Sequence, residues 1–434
     1  MVVAGAGSGK TLTILGKVKY LLESKECSQE EILCISFTNK SCDSLSEKLK
    51  NIGYSIDVLT FHKLGLKVLD KKNLRIAPDD LLDFIIDEYF KSLIRYSKKR
   101  LKEFKRLFFS EKKFDKIVLS KDFKELKITI RTFIALCKAN AFDLTDLLNF
   151  YRSSYFQEKK ILKYIIEIYL IYHDELRSQE MVDFDDMILL ATDKIKDIDL
   201  PYRFIIIDEF QDTSIVRLNL IKSIIEKYNA NIFVVGDDWQ SIYRFSGCNL
   251  DIFLNFEDYF EKSKIFALNR TYRNSQELID LSANFILKNK KQLKKEIYSE
   301  KHLVKPIRIY LGYSLYELLK TITGDYLILA RYNDELKDID DEAAMTIHKS
   351  KGLEADNVIL INAENTPSMK KNERIMRFVL NEREYIPFEE ERRLFYVALT
   401  RTKNRIYLLC NNLDSPFLKE LLKNYSRYIE IYKK

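Results

Sequence analysis

Two kinds of apolar pattern alternate along the first part of the chain. Val2-Val3 is a short strand stub ahead of a glycine-rich loop. From Thr11 to Leu22, apolar residues fall at Leu12, Ile14, Leu15, Val18, Leu21 and Leu22, the spacing of a helix with one apolar side. The runs Ile32-Leu33-Cys34-Ile35-Ser36-Phe37 and Val58-Leu59-Thr60-Phe61 predict strands. Residues 73–178 change character: they are lysine-rich and aromatic, with helical periodicity and few strand signals, which predicts a helical insertion. Strand-like runs return at Phe204-Ile205-Ile206-Ile207-Asp208 and Ile232-Phe233-Val234-Val235-Gly236. Each is apolar throughout and ends on polar or glycine residues, as in strands of a parallel sheet buried on both faces.

From about residue 264 a second set begins. Candidate strands are Ile265–Leu268, Ile307–Leu311, Tyr326–Ala330, Met345–Ile347, Val358–Ile361 and Ile406–Leu409. No repeat of fixed period is visible. The pattern predicts an α/β protein with two parallel-sheet domains, the first interrupted by helices. The expected boundaries are 1–72 and 179–263 for the first domain, 73–178 for the insertion and 264–434 for the second.

Composition adds limits. Hydrophobic residues are 46% of 434, with 27 Phe and 26 Tyr, so disorder is not the dominant state. Six scattered cysteines include no C-x-x-C pair, so neither a zinc site nor a disulfide framework is expected. No signal peptide and no run of eighteen apolar residues is present, so a cytoplasmic protein without a membrane partner is expected. The net charge of +7 is mild. Between residues 91 and 140, however, 16 Lys/Arg face 5 Asp/Glu, a local excess of +11. Alone, that excess reads as a solvated helical face.

Three places carry candidate chemistry. The first is Ala4-Gly5-Ala6-Gly7-Ser8-Gly9-Lys10-Thr11. Glycines let a loop wrap a phosphate with its N–H groups inward, a lysine then reaches the outer phosphates, and a threonine hydroxyl is offered to Mg²⁺. Ala4 stands where the usual pattern begins with glycine. The second is Asp208-Glu209-Phe210-Gln211-Asp212. Asp208, at a strand end, is placed to meet the Mg²⁺ held by Thr11, and Glu209 to orient or deprotonate an attacking water. The third is Gly236-Asp237-Asp238-Trp239-Gln240-Ser241-Ile242-Tyr243-Arg244-Phe245. Gln240 is a candidate γ-phosphate sensor. Trp239, Tyr243 and Phe245 read as a surface for stacking bases, worth about 1–3 kcal/mol per base. In the second half, Arg273 and Arg401 are candidates to neutralise charge on a transferring phosphate.

Ten blocks now stand in order between residues 4 and 405: AGAGSGKT, SFTNKSCDSL, TFHKLGL, DFDDM, IIIDEFQDTS, VGDDWQSIYRFSG, TYRNS, ILARYN, TIHKSKGLEADNVIL and EERRLFYVALTRTKNR. Together they resemble the superfamily 1 helicases of the UvrD/Rep/PcrA kind, and look most like the bacterial DNA helicase IV branch. The resemblance implies two RecA-like P-loop domains and an ATP- and Mg²⁺-dependent motor moving 3′ to 5′ on single-stranded DNA. It implies nucleotide and hydrolysis roles for Lys10, Thr11, Asp208, Glu209 and Gln240, and γ-phosphate contacts for Arg273 and Arg401. Tyr272 is implied beside the adenine and Glu354 at the nucleotide edge. Phe37, Thr60, His62, Tyr243, Phe245, Thr346 and His348 are implied along the DNA path. The basic stretch 91–140 is implied to help hold duplex or backbone. Implied partners are single-stranded DNA, single-strand/duplex junctions, and DNA repair or replication proteins.

Two departures accompany the resemblance. The family's adenine-reading glutamine precedes the phosphate loop, and this chain opens nine residues before Lys10, so that element is expected to be missing. The stretch from Arg273 to Thr346 is short, so the helical domain that larger relatives insert there, called 2B, is expected to be absent or minimal. Two other readings fit the blocks: a DNA-stimulated ATPase that displaces proteins without processive unwinding, and a truncated remnant.

Overall fold

The computed structural model describes residues 1–69, 74–96, 99–100, 102, 104, 120–367, 375–376, 378–379 and 388–434. The boundary expected at 72/73 lies outside the described residues, as does part of the basic stretch 91–140. The chain forms two six-stranded sheets, parallel throughout.

The first sheet has the order β3-β2-β6-β7-β1-β8. Its strands are β1 (Val2–Ala4), β2 (Ile32–Ile35), β3 (Asp57–Leu59), β6 (Phe204–Ile207), β7 (Asn231–Gly236) and β8 (Phe266–Leu268). Helix α1 (Lys10–Glu23) buries Ile14, Val18 and Leu21 against one face, beside Cys34, Ile206 and Val235. Helices α2 (Asn39–Asn51) and α3 (Phe61–Val68) follow β2 and β3. Thr60 ends the third strand early: its hydroxyl accepts from the Lys63 N–H at 3.2 Å and caps α3. Phe61, expected in the strand, therefore opens a helix.

The insertion is helical where described. Helices α4 (Leu81–Tyr96), α5 (Lys121–Ala139), α6 (Leu144–Ser153) and α7 (Phe156–Ser178) enclose a core containing Phe90, Phe104, Phe133 and Ile165. A two-stranded sheet, β4 (Arg75–Ile76) with β5 (Met181–Val182), brings its two ends together. Ile375 and Val379, far along the chain, also enter that core. Helix α8 (Phe184–Lys194) and helix α9 (Ile215–Tyr228) then complete the other face of the first sheet, through residues such as Ile188 and Ile221.

The second sheet has the order β11-β10-β12-β13-β9-β14, with β9 (Ile307–Leu311), β10 (Tyr326–Ala330), β11 (Ala344–Thr346), β12 (Ala355–Leu360), β13 (Thr402–Cys410) and β14 (Ile429–Lys433). Helices α10 (Gln276–Ile286), α12 (Glu389–Leu399) and α13 (Pro416–Tyr425) cover one face, and α11 (Leu315–Leu319) lies on the other. One strand departs from expectation. Phe266–Leu268, read as the start of the second set, pairs with β1 at the edge of the first sheet. Main-chain contacts hold it there: the Met1 ammonium donates to the Lys264 carbonyl at 2.7 Å, and the Phe266 N–H to the Met1 carbonyl at 2.9 Å.

Candidate active site

The phosphate loop is shaped by backbone conformations that need glycine. Gly7 and Gly9 have φ of 69° and 90°, a left-handed region that costs other residues about 1–2 kcal/mol. Ala4 is the buried last residue of β1, with no such φ, so the pattern's first glycine is dispensable here. A Cβ on Gly7 would lie 2.5 Å from the Cβ of Arg273. That closeness reflects a clasp: the Thr271 hydroxyl donates to the Ala6 carbonyl at 2.7 Å, and the Tyr272 N–H to the Gly7 carbonyl at 3.0 Å. Arg273 is thereby set on the rim of the loop. A cavity of about 350 Å³ opens at this place. Its lining includes Lys10, Thr11, Glu209 and Gln240 on the first-sheet side, with Tyr272, Arg273, Glu354 and Arg401 closing it.

The acids follow β6. Asp208 is the first residue beyond the strand, and Glu209 sits at φ 52°, an uncommon conformation for a residue with a side chain. The Glu209 N–H donates to Asp208 Oδ1 at 2.9 Å. Lys10 Nζ lies 3.3 Å from Glu209 Oε1. Burial and the neighbouring Glu209 charge push the Asp208 carboxyl up. Burial acts upward on Glu209 too, but Lys10 and Lys351 outweigh it and hold that carboxyl well below its usual range. Two adjacent carboxylates are thus driven apart in acidity by their surroundings.

A hydrogen-bonded chain links these acids to the second half. The Gln211 amide donates to Glu209 Oε2 at 2.6 Å, and its oxygen accepts from the Asp237 N–H at 2.9 Å. The Gln240 amide donates to Asp237, while Gln240 Oε1 accepts from Arg401 at 2.7 Å. Arg401 is almost fully buried, and burial pushes its guanidinium down to about 9, still charged at neutral pH. Arg273 binds Glu354 at 2.7 Å and the Thr400 carbonyl at 3.2 Å. Tyr272 is 69% exposed, with Arg270 4.9 Å from its ring centre.

Two buried lysines escaped the reading of single residues. Lys351 donates to Asp212, to the Gln240 carbonyl at 2.9 Å, and lies 3.7 Å from Glu209. Its block, TIHKSKGLE, was the available signal. Lys295 contacts Asp237, Asp238 at 2.6 Å and the Ala4 carbonyl at 3.0 Å. It sits in a lysine-rich stretch, where nothing distinguishes a buried lysine from a solvated one.

The residues expected along DNA divide into two groups. Phe37 meets Phe61 edge-on at 5.8 Å with Arg217 over its ring, and His62 packs on Phe184 at 4.7 Å. Thr60 is a buried cap of α3. Burial, aided by Arg217, lowers His62 to about 4, so its ring is neutral at pH 7. The second group joins Tyr243, Phe245 and His348: ring centres are 6.1 Å apart for Tyr243–Phe245, 6.1 Å for Tyr243–His348 and 5.5 Å for Phe245–His348. Phe245 is 45% exposed, and Thr346 ends β11 beside His348.

Trp239 does not join them, which corrects the expectation of a stacking surface. It is fully buried, perpendicular to Tyr396 at 5.5 Å, under Lys295 at 4.7 Å, and its indole N–H donates to the Leu293 carbonyl at 2.9 Å. With its donor satisfied and both faces covered, no surface remains for a base.

No cluster of three or more His, Cys, Asp or Glu suited to a metal occurs among the described residues. The oxygen donors expected for Mg²⁺, the Thr11 hydroxyl at the start of α1 and the Asp208 carboxylate at the end of β6, suit that ion nonetheless. Mg²⁺ keeps several waters and takes one or two protein oxygens together with substrate phosphates, so a full protein cage is not required.

Two parallel sheets bordering a phosphate-loop cleft, with an arginine-bearing second half, define the two-domain RecA-like helicase architecture. The chain belongs to the UvrD/REP helicase family: the model of the UvrD/REP helicase N-terminal domain matches residues 1–261. The model of the viral superfamily 1 RNA helicase core domain matches residues 192–410. Among curated relatives, DNA helicase IV of Escherichia coli (strain K12) is 28% identical over 470 aligned positions, covering 98% of this chain and 68% of the relative. The probable DNA helicase II homolog of Mycoplasma capricolum is 30% identical, over 69% of this chain and 40% of the relative. The ATP-dependent DNA helicase PcrA of Staphylococcus aureus is 29% identical, over 68% of this chain and 38% of the relative. The chain thus spans about two fifths of the latter two. No helix among the described residues is long and apolar enough to cross a membrane.

Proposed function

We propose that this chain is an ATP-driven motor that moves 3′ to 5′ along single-stranded DNA and separates strands as it goes. The observation that carries this reading is the composite cleft: Lys10, Glu209 and Gln240 on the first sheet meet Arg273 and Arg401 from the second half around one cavity. In this reading residues 1–72 and 179–263, together with the edge strand Phe266–Leu268, form the first motor domain, 73–178 the insertion and the rest of 264–434 the second domain, with the 2B insertion absent or minimal.

Each side chain has a task set by its contacts. Lys10 now neutralises Glu209 at 3.3 Å. An arriving γ-phosphate competes for Lys10, which releases Glu209 and removes one of the two lysine charges that keep its carboxylate weakly basic. Glu209 then accepts a proton from the attacking water. Gln240, held between Asp237 and Arg401, orients the γ-phosphate side. Arg273 and Arg401 supply positive charge as the phosphate transfers. Thr11 and Asp208 would hold Mg²⁺, which would supply positive charge to the nucleotide's phosphates. Tyr272 stacks near the adenine, and Glu354 keeps Arg273 aimed at the cleft edge.

Coupling runs through the same segment that senses phosphate. Three residues beyond Gln240, the Tyr243 hydroxyl donates to the His348 carbonyl at 3.0 Å, and Phe245 stands exposed beside them. A shift of Gln240 toward nucleotide moves these aromatics against Phe37, Thr60 and His62, alternating the grip on bases. Thr346 contacts the strand at the second-domain side.

The test is steady-state ATP hydrolysis with and without oligo-dT. The wild-type chain is expected to be stimulated by the oligonucleotide, and Lys10→Ala to lose at least about a hundredfold in rate. Hydrolysis that ignores DNA, or that survives Lys10→Ala, rejects the reading. Stimulation by oligo-U alone would turn the proposal to RNA.

A further inference from the structure

The two faces of the second sheet are covered unequally. On one, α10, α12 and α13 pack Phe285, Phe395 and Phe417 into a common core. On the other, among the described residues, lie α11, five residues long, and short 3-10 turns such as Asn333–Leu336. Parallel sheets ordinarily bury both faces under helices. Here the thin side leaves a groove of about 600 Å³ between α11 and the loop leading to β11. Ile328 and Leu409 line its floor, and Tyr316, 68% exposed, stands on one wall.

The opposite wall is acidic. Residues 334–342 hold Asp334, Glu335, Asp338, Asp340, Asp341 and Glu342 against one Lys337, in a chain whose net charge is +7. Several of these acids are occupied locally: Asp334 by Lys337 at 2.7 Å, Glu335 by Asn365 at 2.6 Å and Asp341 by the Tyr326 hydroxyl at 2.9 Å. Asp338 and Asp340 line the groove, are exposed, and have no hydrogen-bond or ion-pair partner among the described residues. Among the described residues, no Lys or Arg lines it. The negative wall repels nucleic acid and attracts a cation.

We propose that this groove docks an amphipathic helix of a partner protein, its apolar face against exposed Tyr316 and half-buried Leu315 and Leu319, and its Lys/Arg side chains toward Asp338 and Asp340. Such a helix adds a second layer beside the short α11 and supplies the charge that the wall lacks. A second copy of this chain fits less well. Among the basic residues of its insertion, Arg100, Lys127, Arg131 and Lys138 are already paired with Glu167, Asp87, Asp83 and Asp183.

The probe is a fluorescein-labelled synthetic leucine–lysine amphipathic helix, titrated with the full chain by fluorescence anisotropy. Saturable binding is expected, with none for the leucine–glutamate counterpart. Combined Asp338→Lys and Asp340→Lys should weaken it about tenfold or more, and Tyr316→Ser should weaken it comparably. The same charge reversal at exposed Glu257 and Asp258 should leave binding unchanged. Thermal midpoint and ATP hydrolysis should be unaltered in all these variants. Equal binding by the groove variants overturns the proposal, as does displacement of the probe by oligo-dT. Concentration-dependent dimerisation in sedimentation velocity, abolished by the groove substitutions, would make the occupant a second copy and overturn it too.

Discussion

Gly7 shows how little freedom single positions in the cleft have. Its φ of 69° and the 2.5 Å approach of a would-be Cβ to Arg273 leave no room for alanine. Gly7→Ala is expected to cost about 1–2 kcal/mol from the backbone alone, and to push Arg273 away, so that nucleotide affinity measured by titration calorimetry falls along with stability. His62 makes a second prediction at this scale. Its folded value of about 4 lies below the ordinary 6.5. Above pH 6.5 both folded and unfolded chains hold it neutral and nothing is gained or lost. Between 6.5 and 4 the unfolded chain binds the proton first, so stability falls as pH falls, by up to about 3 kcal/mol. Thermal melts of wild type and His62→Asn at pH 7.5 and 4.5 check this: the wild type should lose more across that interval. Equal losses would show that the ring is not held neutral.

At the scale of elements, the segment from β7 to Phe245 divides its aromatics by environment. Trp239 lies in packing, and Trp239→Ala should cost about 3–5 kcal/mol in a denaturant melt. Phe245→Ala should leave stability nearly unchanged and weaken single-stranded DNA binding, by about 1–3 kcal/mol if the ring stacks on a base. Fluorescence titration beside the melt separates the two effects; a Trp239→Ala protein that folds normally but loses only DNA would reverse the assignment. The sequence shows that three aromatics lie close together but not which one the second half covers, because Tyr396 and Lys295 arrive from elsewhere in the chain. The basic insertion teaches the same lesson. A local excess of +11 looks available for a phosphate backbone. Lys138 nevertheless sits within 2.7 Å of Asp186 and also pairs with Asp183, acids that lie outside the counted window. Charge counted along the chain overstates charge free in space. What periodicity did reveal well were long, fully apolar strands. It missed β14 and assigned Phe266–Leu268 to the wrong sheet, since pairing partners are not written in a strand's own residues.

At the scale of the whole molecule, ion pairs engage the charged groups in and beneath the cleft. Lys10 holds Glu209, Lys351 holds Asp212, and Arg273 holds Glu354. In the proposed function, nucleotide phosphates compete for Lys10 and Arg273, and the exchange reaches both sheets at once because Gln240 bonds to Arg401 and Lys351. The phosphate loop, the two acids and the two arginines were legible in the sequence as ordered blocks; the lysines that lock them were visible only after folding. In the proposed function, such an exchange makes cleft closure the power stroke of a directional motor. Directionality is read most directly by stopped-flow translocation on oligo-dT of increasing length, labelled at one end with a fluorophore that reports the protein's arrival. With the label at the 5′ end, the lag before the signal should grow linearly with length. With the label at the 3′ end, only length-independent departure should appear. The opposite pattern, or no ATP-dependent lag at either end, would contradict a 3′ to 5′ motor.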